Sequence, residues 1–84
     1  MLRKVEFPEL WSTLGEIQEA LPSLESGKEL QDAIVRLSAV YNMFIQHVDV
    51  HTHMGAFLYS QDWHSAVKSD LIRKYKACIE KDEE

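Results

Sequence analysis

Three histidines, His47, His51 and His53, stand close together, and a fourth, His64, follows. Imidazole nitrogens ligate zinc and iron, and two histidines four residues apart share one face of a helix. His47 and His51 form such a pair if the chain is helical here. His64 joins them if the next helix returns antiparallel, which gives a His47/His51/His64 site and the reading of a metal-binding helical protein, enzymatic or not. The structural reading of the same residues is simpler: histidines near a helix end interact with free carbonyls or fill the edge of a core. Paired cysteines or a His-Glu-x-x-His run, which make a metal signal specific, are missing from the sequence. The expectation is therefore no metal and no cofactor. Four imidazoles in or near one interface would also make it acid-sensitive, with association weakening as pH falls from about 7.5 to 5.5.

Asp49-Val50-His51-Thr52-His53 resembles the Asp-x-His-x-His string with which amidohydrolase-type metal enzymes begin their barrels. That resemblance implies a (β/α)₈ barrel of about 250 residues, which a chain of 84 residues does not hold. Cys78 and His64 are fourteen residues apart on one expected helix, hence about 21 Å apart along its axis, too far for a nucleophile pair. Cys78 falls on an apolar stripe, where desolvation keeps a thiol protonated. Gly15, Gly27 and Gly55 are isolated, so no loop cradles a phosphate. Glu16 and Glu19 lie on a solvated face with nothing to perturb them. No catalytic set emerges, and the chain reads as a binding protein rather than an enzyme.

The elements that carry these residues are helical. Ser26 and Glu29 have the spacing of a capping box. Beyond them Leu30, Ile34, Leu37, Tyr41, Phe44 and Val48 recur at steps of three and four, one stripe of a helix expected over 27–53 with Gly55 as its stop. Val48, Val50 and Thr52 are β-branched and suit this helix poorly. At roughly 40 Å it is also long for a domain whose expected radius of gyration is about 12 Å. It must break near Asp49 or have its end covered by another chain. Upstream, Phe7, Leu10, Leu14, Ile17, Leu21 and Leu24 mark a helix over 8–21, opened by Pro8 and closed by Pro22. The short turn that follows makes the first two helices an antiparallel hairpin. After an apolar connector, 56–60, Ser60 or Asp62 caps a third helix over 61–81 bearing Trp63, Val67, Leu71, Tyr75 and Cys78. The expected fold class is all-α: one domain over 1–84, a three-helix bundle built on the hairpin with a long central helix, completed by dimerisation if that helix needs cover.

The totals exclude several partners. A net charge of −5 and a short, interleaved basic run at Arg73, Lys74 and Lys76 argue against nucleic acid. The least charged stretch, 39–59, is broken by Asn42, Gln46, Asp49 and three histidines, so no membrane span is expected. Met1-Leu2-Arg3-Lys4 has no apolar run behind it, and a single cysteine fits a reducing compartment, so the expected location is the cytoplasm.

What remains is an absence. Between Leu37 and Gln61 the only formal charge is Asp49. The segment carries Met43, Ile45, Val50, Met54, Phe57, Leu58 and Tyr59, more apolar surface than two short helices hide. It is expected to bind another protein or a second copy of the chain through Tyr41, Phe44, Ile45, Val48, Phe57, Leu58 and Tyr59. A homodimeric adaptor, a chaperone and an immunity-type inhibitor all fit such a surface.

Overall fold

The computed structural model describes residues 4–83; Met1, Leu2, Arg3 and Glu84, counted in the expected domain, lie outside them. Among the described residues all regular structure is helical: α1, Phe7–Ala20; a 3₁₀ turn, Leu21–Ser23; α2, Gly27–Ile45; and α3, Met54–Glu83. Pro8 sits in the first turn of α1, where its missing N–H costs nothing. Pro22 lies in the 3₁₀ turn, and the Leu24 N–H closes it onto the carbonyls of Ala20 and Leu21. Ser26 Oγ accepts the Glu29 N–H at 3.1 Å and starts α2 as its spacing predicts.

Pairwise contacts fix the directions. Phe7 meets Phe44 and Glu16 meets Arg36, so α1 and α2 run antiparallel. Trp11 meets Ser60 and Gln18 meets Trp63, so α3 runs parallel to α1. Tyr41 meets His64, and near the start of α2 Gly27 faces Tyr75, so α3 is antiparallel to α2. Leu10, Leu14 and Ile17 of α1, Leu30, Leu37 and Phe44 of α2, and Val67 and Leu71 of α3 form the core, closed at one end by Val5.

Two boundaries differ from expectation. The second helix ends at Ile45 rather than 53, and the third begins at Met54 rather than 61. The last turn of α2 tightens as the His47 N–H moves to the Phe44 carbonyl. Asp49 then holds a turn of its own. Its carboxylate accepts the Thr52 hydroxyl at 2.6 Å and the Thr52 N–H at 3.3 Å, while its carbonyl accepts the His53 N–H. The His53 carbonyl takes the Phe57 N–H, the first bond of α3. The β-branched run thus becomes a turn, and Gly55 lies in the first turn of α3 instead of ending α2. The expected long central helix is a 19-residue helix, and the longest element is α3, with 30 residues. At 1.5 Å per residue α3 spans about 45 Å. That accounts for a molecule 50 Å long whose radius of gyration, 14.1 Å, exceeds that of a sphere-like domain of this length.

Candidate functional site

Seen from α3, the structure has two seams. Residues along a helix leave it at about 100° steps. Phe57, Ser60, His64, Val67 and Leu71 form the stripe of α3 that faces the other two helices. On its α1 side stand Trp63 and then Tyr59; on its α2 side, His64 and Phe57 and then Met54, with Leu58 on the outward face.

The α1–α3 seam is aromatic, and both its indole N–H groups are partnered. Phe7, Trp11, Tyr59 and Trp63 follow one another with ring centroids 5.6, 6.1 and 5.9 Å apart. The Trp11 indole N–H donates to Ser60 Oγ at 2.6 Å, and the Trp63 indole N–H to Gln18 Oε1 at 3.0 Å. Ser60 is wholly buried. Its place on the stripe, four residues before His64 and seven before Val67, was visible in the spacing. Its suitability as a helix cap drew the sequence reading away.

The α2–α3 seam carries one polar pair. Tyr41 and His64 stack with ring centroids 3.8 Å apart and planes 11° from parallel. His64 is 9% exposed, and its Nε2 is buried without a hydrogen-bond partner. Burial, helped by the charge of Lys68 one turn on, lowers its pKa below the ordinary imidazole value. Burial raises that of the Tyr41 phenol.

The histidines do not converge. The break after Ile45 takes His47 and His51 off a common helical face and leaves both exposed in the connector, while His64 is buried against Tyr41. His53 packs on Phe7 instead. Among the described residues no group of three His, Cys, Asp or Glu side chains is placed to hold a metal ion. Asp49 is committed to Thr52, which holds its carboxyl below the usual range. A cavity of about 320 Å³ lies between the N-terminal segment and the connector, floored by Val5, Phe7, Phe44 and Val48, with His47, Asp49 and His53 on its rim.

The seven residues expected at an interface are divided by the same geometry. Phe44 is 1% exposed and belongs to the core, because the stripe of α2 turns it toward Phe7. Tyr41, Val48 and Phe57 are half-buried against that core. Ile45, Leu58 and Tyr59 are exposed, and so is Met54, which the seven did not include. Leu58 and Tyr59, neighbours in sequence, leave α3 about 100° apart: Leu58 faces away from the inward stripe, while Tyr59 touches Trp11 and Trp63. Ile45, one turn beyond Tyr41, stands on the α2 bank of the seam, and Met54 on its α3 bank. Among the described residues no helix is long and apolar enough to cross a membrane. Comparison of the chain with protein-family models, with curated proteins and with solved structures gives no match.

Proposed function

We propose that this chain is a small acidic protein-binding module, and that it docks through its charge-poor end onto a second copy of itself. The observation that carries the reading is the group Ile45, Met54 and Leu58. All three are large, apolar and 44–50% exposed, and they lie in the segment where Asp49 is the only formal charge. Isolated exposed apolar side chains are ordinary, whereas a cluster on uncharged ground supplies the apolar centre that an interface needs. The choice of occupant follows from charge. Two chains of net charge −5 repel one another, and the uncharged end is where that repulsion is least. An isologous pairing places the same group on both sides, as a two-fold dimer requires. Tyr41 and Phe57, half-buried between the two banks, would be the aromatic anchors. Adaptor, chaperone and inhibitor roles all remain compatible with such a module.

The test is solution mass by light scattering on untagged protein. A dimer is expected, and its affinity should rise with salt as repulsion is screened. Ile45→Asp and Leu58→Asp should each give a folded monomer, while Tyr59→Asp, at a ring that lies against Trp11 and Trp63 on the α1 side of α3, should leave the dimer intact. A wild-type monomer at high concentration would overturn self-association, and unfolding by both Asp variants would mark the group as core.

A further inference from the structure

That reading uses Tyr41 but gives no role to His64, the buried ring stacked on it. An imidazole nitrogen normally finds a partner when buried, since leaving a polar atom unpaired costs stability. Among the described residues His64 Nε2 is the one buried side-chain nitrogen or oxygen that finds none. It sits on the inward stripe of α3, at a position that repeats as Val67 and Leu71 one and two turns on. We propose that the Tyr41–His64 stack is an acid-sensitive latch between α2 and α3, which holds while the imidazole is neutral and loosens when it takes up a proton.

The groups around the ring explain why a proton is unwelcome. Neutral, the imidazole lies flat on Tyr41 and covers the seam as an apolar disc would. Protonated, it brings a charge and a second N–H donor into a place with no acceptor for Nε2. From α3 itself the facing charge is Lys68, which repels it. From α2 the facing titratable group is Tyr41, whose phenol is neutral throughout this range. From α1 the buried residues are Leu10, Thr13, Leu14 and Ile17, and the carboxylate of Glu16 is held by Arg36 across the α1–α2 hairpin. Among the described residues no carboxylate is placed to compensate. The face of the Tyr41 ring attracts a cation but less strongly than the water the imidazolium gives up.

The direction of the pH dependence follows from linkage. His64 binds a proton less readily folded than unfolded, so stability is full above the ordinary imidazole value of about 6.5 and falls as pH drops below it. With one proton linked, the folding equilibrium constant falls by up to about tenfold per pH unit until the folded ring itself titrates. The latch does not depend on anything docking nearby, although its opening would also part the banks on which Ile45 and Met54 stand.

The experiment is urea denaturation followed by circular dichroism between pH 7.5 and 5, with the His64 ring proton followed by NMR on unmodified protein over the same range. Wild type is expected to lose stability progressively below pH 6.5, with the His64 resonance titrating below the ordinary imidazole value. His64→Leu should be flat over this window, and His47→Gln/His51→Gln/His53→Gln should keep the wild-type slope. If His64→Leu does not fold, the ring titration decides by itself. A wild-type curve that is flat, a His64→Leu curve that keeps the slope, or a His64 resonance titrating at or above the ordinary imidazole value of about 6.5 would overturn the latch.

Discussion

Where α3 meets α1, Tyr59 and Trp63 of α3 line up with Trp11 of α1, and both indole N–H groups end on oxygens, of Ser60 and Gln18. Against α2 it sets the stack of Tyr41 and His64 and leaves Nε2 unpaired. Both seams set aromatic rings against the same helix, yet one has its ring N–H donors paired and the other carries a debt that grows with acidity. The difference lies in what each ring can become. Indole has one fixed donor, and a single hydroxyl or amide oxygen satisfies it. Imidazole changes its donor count and its charge between pH 8 and 5, so no fixed surroundings suit both of its forms.

Three substitutions sharpen that contrast. The largest effect is expected from Phe44→Ala, because Phe44 is fully buried where the seams meet, touching Phe7 from one side and Tyr41 from the other. Removing a buried phenyl ring costs about 3–5 kcal/mol, enough to threaten the fold, and urea titration should show both seams lost together. Ser60→Ala comes next. It strips the Trp11 indole of its acceptor in a place closed to water, a loss of about 1–2 kcal/mol that should be the same at pH 7.5 and pH 5. A pH-dependent deficit in Ser60→Ala would mean that the seams are not independent. Smallest is Arg36→Ala, which removes the 2.6 Å pair with Glu16 from the hairpin. Both partners are more than half exposed, so melting should show a change of about 0.5 kcal/mol or less.

The hairpin was legible in the sequence because its signals agree. Pro8, Pro22, Ser26 and the stripes through Leu10 and Leu37 all point to the same two helices. The second break was half legible. The β-branched Val48, Val50 and Thr52 argued against helix, but nothing local showed that Asp49 would close a turn on Thr52 rather than lie on a helix surface. Placing α3 seven residues late followed from reading Ser60 as a cap, when its hydroxyl is spent on Trp11, a partner 49 residues away that no local pattern reveals. The apolar segment was recognised as a segment but not as surfaces. Linear composition cannot say that Leu58 and Tyr59 diverge until the helix containing both is known.

Both tryptophans lie on one seam, Trp11 and Trp63 flanking Tyr59 along the line where α3 meets α1. Indole emission from this molecule is therefore a local gauge: it reports the α1–α3 contact and is silent about Tyr41 and His64. An acid titration in which the fluorescence stays constant while the tyrosine absorbance or the imidazole resonance moves would resolve α3 peeling from α2 while still clasping α1, a half-open state that a global probe would average away.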